Sequence, residues 1–250
     1  MRATPSEKAE MVSQLLFGEA YQIIEEKENW ICIETMDCHY SGWINAKMHN
    51  PLHEKDVAFY MKAEKYVVKD FLLLIKDFES GISFPIFIGA SFPYPQNGML
   101  ILGRSVFVID IPENSSSSKE DQAISLLRFA SSYLNAPYLW GGRSPAGIDC
   151  SGLVQLAYKS IGHSLPRDAS QQVGLGTTVD FINEMKVGDV AFFHNEEDQI
   201  IHTGIICAPN KILHSSGKVR IDMLDQTGIF NKEVNKYTHF LRIIKRFLFE

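Results

Sequence analysis

The sequence predicts an α+β protein: one or two small β-barrels, followed by a unit in which helices precede a sheet. Across residues 1–111, short β-branched or aromatic runs alternate with Gly, Pro and polar turn stretches, the spacing of small barrels. Residues 112–118 (PENSSSS) then break the texture as a linker. Beyond them, apolar residues recur first at helical spacing and then, from Gly188, in strand-like runs. That order is the mark of an α+β unit. The expected division is a first barrel over 1–50, a second, diverged one over 51–111, a linker over 112–119 and the α+β domain over 120–250.

Each element has its own signal. Residues 21–24 (YQII), 30–34 (WICIE) and 43–45 (WIN) read as strands, with polar turns at 25–29 and 36–42. Residues 66–75, 84–89 and 99–109 continue the β texture, punctuated by Gly81, Pro85, Pro93, Pro95, Asn97 and Gly98. Pro85 lies inside a run and cannot donate to a ladder, so it predicts an edge strand or a bulge. Residues 120–134 place Ala123, Ile124, Leu127, Ala130 and Leu134 on a helical stripe that ends at Asn135 and Pro137. A second helix is expected to start at 149–151, with Leu153, Val154, Ala157 and Ile161 on one face and Gly162 as its stop. Residues 164–174 carry a short helix signal. Strands follow at 189–193, 200–207, 211–215, 219–224 and 238–244, with a Pro209-Asn210 turn between the second and third.

Composition excludes several classes. Lys+Arg number 24 and Asp+Glu 30, a net charge of −6, which argues against binding to nucleic acid through bulk charge. No apolar run approaches the roughly 20 residues of a membrane helix. Cys32, Cys38, Cys150 and Cys207 form neither a disulfide framework nor a CxxC pair. The opening MRATPSEKAE has no apolar core of a secretory signal. As written the chain reads as cytoplasmic; an omitted upstream signal would make it periplasmic or secreted.

One cysteine stands apart. Cys150, in Gly147-Ile148-Asp149-Cys150-Ser151-Gly152, falls at the expected start of an amphipathic helix. Unpaired N–H groups and the helix dipole there favour thiolate over thiol, which suits a nucleophile. The alternative is a buried core cysteine. A thiol nucleophile needs a base, usually His. Of eight histidines, His202 (IIHTGIIC) and His214 (KILHSS) lie on runs joined by the Pro-Asn turn. In a hairpin they can share one face, His202 toward the thiol and His214 holding the far ring nitrogen, as a triad's third member does. The alternatives are partly buried strand histidines, or a metal site from His194, His202 and His214. The metal reading lacks a helical His pair and nearby carboxylate ligands.

The ordered set Tyr138–Gly142 (YLWGG), Asp149–Gly152 (DCSG), His202–Ile205 (HTGI) and Ile212–Ser215 (ILHS) resembles the NlpC-type cell-wall cysteine peptidases over about residues 120–245. The resemblance implies a papain-like α+β fold, Cys150 as nucleophile, His202 as base, His214 as polar third residue, and no metal or organic cofactor. GEAYQII, the Trp30 run and Tyr40-Ser41-Gly42-Trp43-Ile44 resemble a bacterial SH3-like barrel, and residues 55–110 a second, diverged one.

Tandem barrels ahead of such a domain are similar to one subfamily, the γ-D-glutamyl-L-diamino-acid endopeptidases acting on muropeptides with a free N-terminal L-Ala. By that resemblance Glu19 and Asp168 bind the substrate amine, with Tyr40 a looser aromatic candidate. Tyr138, Trp140, Asp149 and Ser151 match binding positions of the catalytic domain. Two acids facing one ammonium would reject an acylated amine, because both would be left unpaired. For Glu19 the alternative is a solvated turn residue, and for Trp140 packing under the Gly141-Gly142 turn. Rival functions are an amidase or acyltransferase of the same fold, or a cell-wall binding protein with a decayed site. The Arg2-Ala3-Thr4-Pro5-Ser6 segment opens the sequence, where such barrels usually have a preceding strand, so the chain is expected to begin inside its first barrel.

Overall fold

The computed structural model of the 250-residue chain describes residues 1–111 and 122–248, in two compact units that divide between residues 119 and 120. The expected linker, residues 112–119, and the first two residues of the 120–134 helix lie outside the described residues.

The N-terminal unit opens with an antiparallel sheet of β1 (Tyr21–Lys27), β2 (Trp30–Thr35) and β3 (Ser41–Asn45) in sequence order. β2 alternates, burying Ile31, Ile33 and Thr35, and with Ile44 of β3 these make a small core beneath Leu15 and Tyr21. Residues 54–62 form helix α1 (Glu54–Lys62), which the sequence reading did not anticipate. Only Tyr60 is buried on it, so it carries no apolar stripe for a periodicity argument to find.

After α1 come β4 (Lys65–Val67), β5 (Leu72–Asp77), β6 (Ser83–Phe87), β7 (Ser91–Pro93), β8 (Met99–Leu102) and β9 (Ser105–Ile109). β4 pairs with β7, and the others form a sheet in the order β6-β5-β9-β8. The expected 66–75 strand is therefore broken: its first residues belong to β4 and its last to β5. Pro85 lies in β6, an edge strand, where a missing N–H leaves no ladder bond unmade. Phe17 packs edge-on against Phe84, Phe92 and Phe107 at centroid distances of 6.2, 6.1 and 5.3 Å, so the chain before β1 helps fill this second core.

The C-terminal unit begins with α2 (Gln122–Ser131), then the two-residue pair β10 (Arg143–Ser144) and β11 (Gly147–Ile148). Helix α3 (Cys150–Lys159) follows; all of it but its last residue is buried, because it packs against the sheet. After the single-turn α4 (Ala169–Gln172) come β12 (Thr177–Val179), β13 (Val190–His194), β14 (Ile200–Ala208), β15 (Lys211–Ser216), β16 (Lys218–Leu224), β17 (Gly228–Asn231) and β18 (Lys236–Arg246).

These seven strands run β12-β18-β13-β14-β15-β16-β17, and β17 also pairs with β18, so the sheet closes on itself. Gly228 permits the closure. It has φ of +145°, and a Cβ there would sit 1.9 Å from the carbonyl oxygen of His239. The helix-first, sheet-second order matches the α+β class read from the sequence. β12 and β17 were not foreseen; each is short, and β12 pairs only with the distant β18, whereas β17 pairs with its sequence neighbours β16 and β18.

Candidate active site

Asp149 sets the local geometry of Cys150. It caps α3, its Oδ1 accepting from Gly152 N–H at 2.7 Å, while its Oδ2 accepts from Gly141 N–H at 2.8 Å. Arg167, only 2% exposed, donates to both oxygens, Nη1 to Oδ1 at 3.0 Å and Nη2 to Oδ2 at 2.6 Å. This bidentate pair ties the residues before α4 to the first turn of α3. Arg167 Nη1 also donates to Ser151 Oγ at 2.9 Å, and Gln172 Nε2 donates to the Ser151 carbonyl at 3.1 Å. The Cys150 turn is thus clamped on three sides by buried hydrogen bonds.

The environment of the thiol differs from the sequence expectation. Burial first, and then the Asp149 charge, push Cys150 up to about 12. The N–H groups of Thr203 and Ser151 and the Arg167 charge pull the other way without prevailing. The helix terminus is present, but a fully buried sulfur beside a carboxylate rests as the thiol.

Facing it is a line of imidazoles. Thr203, whose N–H reaches the Cys150 sulfur, directly follows His202 on β14. His202 Nε2 and His214 Nδ1 are 2.8 Å apart, and both rings are buried. The pairing is diagonal: His214 sits opposite Gly204, two residues beyond His202. Gly204 makes room for the contact, since a Cβ there would lie 2.7 Å from the His214 Cβ.

Behind His214, its Nε2 lies 3.1 Å from Asp222 Oδ2. Arg220 holds that carboxylate, Nη2 to Oδ1 at 3.0 Å and Nε to Oδ2 at 2.7 Å, and reaches Glu233 with Nη1 at 2.9 Å. Burial pushes Asp222 up, but hydrogen bonds and charge from His214 and Arg220 outweigh it and hold the carboxyl below its usual range. His239 of β18 stacks on His202, with centroids 4.1 Å apart and planes 25° apart. Burial, then the His239 and His214 charges, keep His202 well below the ordinary histidine value.

Asp222 can only accept, and the roles of the ring nitrogens along the line depend on the tautomer each imidazole takes. This set can take a proton from a thiol and hold an imidazolium transiently.

The other sequence-picked residues fall as follows. Tyr138 is half-buried, and burial, then charge at Cys150 and Asp149, raise its hydroxyl to about 12. Trp140 is 59% exposed, so it does not pack under the glycine turn. The acceptors of Asp149 and the hydroxyl of Ser151 are engaged in the Arg167 clamp. Asp168 is half-buried at the start of α4, its carbonyl accepting from Gln171 and Gln172. His194 turns to Asp198, at 3.2 Å, and not toward His202.

In the N-terminal unit, Glu19 lines a groove of about 1220 Å³ with Tyr21, Trp43 and Tyr60, and its Oε2 accepts from Leu16 N–H at 2.9 Å. Tyr40 lies away from that groove, its backbone closing the turn between β2 and β3 through Thr35. Sequence reasoning missed Arg167, Arg220, Asp222 and the stacking of His239. Arg167 directly precedes Asp168, and nothing in the local sequence marks its side chain as buried. Arg220 and Asp222 alternate on one strand face opposite His214, a signal readable only once the register is known.

Residues 135–238 match the NlpC/P60 family, and residues 1–47 match the bacterial dipeptidyl-peptidase Sh3 domain. The chain is 29% identical to the gamma-D-glutamyl-L-lysine dipeptidyl-peptidase of Bacillus subtilis (strain 168), over 89% of this chain and 78% of that one. It is 26% identical to dipeptidyl-peptidase 6 of Lysinibacillus sphaericus, over 90% and 88%. The crystal structure of an NlpC/P60 family protein from Bacillus cereus ATCC 10987 superposes with a TM-score of 0.76 at 20% identity, covering 95% of this chain and 82% of that one, a likeness of fold. No helix among the described residues is long and apolar enough to cross a membrane. The chain carries an NlpC/P60-family cysteine peptidase domain and, ahead of it, a bacterial SH3 domain.

Proposed function

We propose that this protein hydrolyses the γ-D-glutamyl-L-diamino-acid bond of cell-wall peptides that carry a free N-terminal L-Ala, with Cys150 as nucleophile, His202 as base and His214 as the polar third residue. The observation that carries the reading is the buried His202–His214 contact next to Thr203, whose N–H reaches the Cys150 sulfur at the α3 N-terminus. It is supported by the names of the Bacillus subtilis and Lysinibacillus sphaericus relatives, both dipeptidyl-peptidases.

The cycle follows from the resting charges. Thiol and imidazole are both neutral at rest, so proton transfer accompanies attack. The sulfur bonds to the γ-carbonyl carbon as its proton passes to His202 Nδ1. Backbone N–H groups of the first turn of α3 stabilise the oxyanion. The imidazolium then returns that proton to the departing amine of the diamino acid, leaving a thioester. Water, deprotonated by the same nitrogen, hydrolyses the thioester and regenerates the thiol. Asp168 is our candidate for the substrate ammonium. Tyr138 and Trp140 are our candidates for contacts to the peptide.

The test is a paired digestion of L-Ala-γ-D-Glu-diaminopimelate and the same tripeptide acylated on the L-Ala amine, followed by mass spectrometry. Release of L-Ala-γ-D-Glu from the free peptide alone is expected. Equal cleavage of both would overturn the assignment of Asp168 to the amine. Cleavage of neither, with Cys150 still reactive to a thiol probe, would point to another amide or ester.

A further inference from the structure

We infer that Asp222, held by Arg220, is a positioning residue that fixes the tautomer of His214 and, through it, that of His202, so that the relay has four members and ends on a carboxylate. The inference rests on the proposed roles of Cys150 and His202.

A histidine in the third position is ambiguous in a way that an asparagine or glutamine is not. An amide always offers an oxygen to the base. An imidazole offers a lone pair at Nδ1 only while its proton sits on Nε2. The opposite tautomer of His214 would donate from Nδ1 to His202 Nε2. The His202 proton would then sit on Nδ1, the nitrogen that must receive the thiol proton. Asp222 removes the ambiguity, because its Oδ2, 3.1 Å from His214 Nε2, accepts and cannot donate.

Arg220 prevents the carboxylate from turning away. It contacts both oxygens and is itself anchored on Glu233. The groups facing the line are His239, stacked on His202 and edge-on to His214 with centroids 5.9 Å apart, and Phe193, 5.8 Å from His202. Asp222 supplies negative charge that offsets the His202 imidazolium formed during turnover.

The role predicts a conditional effect. Asp222→Asn brings an amide N–H within reach of His214, and Asp222→Ala removes the acceptor altogether. Each should lower kcat about 10- to 100-fold with KM within about twofold, the scale of losing an outer carboxylate that orients a site histidine. His214→Asn places an amide oxygen where Nδ1 stood and needs no tautomer fixed. In that background, Asp222→Asn should change kcat by less than about threefold.

Imidazole 15N shifts of the Cys150→Ala protein read the tautomer without turnover. They should show His214 protonated at Nε2 with Asp222 present, and not so in Asp222→Asn. Equal losses of kcat in both His214 backgrounds, or an unchanged tautomer, would overturn the inference. So would wild-type kcat in Asp222→Asn and Asp222→Ala. If Cys150→Ala itself retains turnover, the failure lies with the nucleophile and not with Asp222.

Discussion

At the scale of single residues, burial favours the neutral forms of the Cys150, His202 and His239 side chains. His239 shows this without taking part in bond breaking. Burial, then the His214 charge, lower it to about 4, with Asp222 pulling weakly upward. Its folded value lies below the unfolded one of about 6.5, so between those values the unfolded chain binds more protons. Stability conferred by the neutral ring is therefore complete above pH 6.5 or so and is lost as pH falls toward 4. His202 adds to the same slope. His239→Phe keeps a flat ring against His202 and removes one titration. Its denaturation midpoint should fall less steeply from pH 6.5 to 4 than that of the wild type; parallel slopes would contradict this account of the stack.

The placement of Cys150 at a helix start and of His202 and His214 on paired strands was legible in the sequence because each stands in a local signal: a capping residue before a helix, and two strand runs joined by a turn. Asp222 and Arg220 were not. A charge at every second position of a strand is normally a solvated face, and only the pairing of β15 with β16 places this pair behind His214. The thiol's protonation state was also hidden, since the helix terminus is visible in sequence and the burial opposing it is not.

At the scale of elements, α3 matters for where its first turn is held. The Arg167–Asp149 pair is buried at both ends. Removing one partner of a buried pair leaves an uncompensated charge, which costs about 3–5 kcal/mol. Arg167→Ala should therefore lower the unfolding free energy by about that amount in chemical denaturation, and adding Asp149→Asn should recover part of it. A loss under about 1 kcal/mol, the range of an exposed pair, would show that the clamp contributes little. Elements were legible where burial is one-sided and periodic, as in β2; α2 was foreseen as a helix but not by its face, since Leu126, Phe129 and Ala130 are buried while Ile124 and Leu134 of the expected stripe are exposed. Helix α1 escaped notice because it buries one tyrosine, and the 66–75 run was broken by the exposed Lys69 and Asp70.

At the scale of the whole molecule, the α+β class was readable from the order of periodicities, and the closed sheet was not. Closure depends on β18 pairing both with its neighbour β17 at Gly228 and with the distant β13, and no local pattern speaks for the second contact. The central claim is that the Cys150 sulfur forms the bond to substrate. Its most direct test compares release of L-Ala-γ-D-Glu from the free tripeptide by the wild type and by Cys150→Ala, with thermal melts of both. We expect turnover to fall by about 10³-fold or more with the melting temperature preserved. Turnover within about tenfold of the wild type in a folded Cys150→Ala protein would contradict the mechanism.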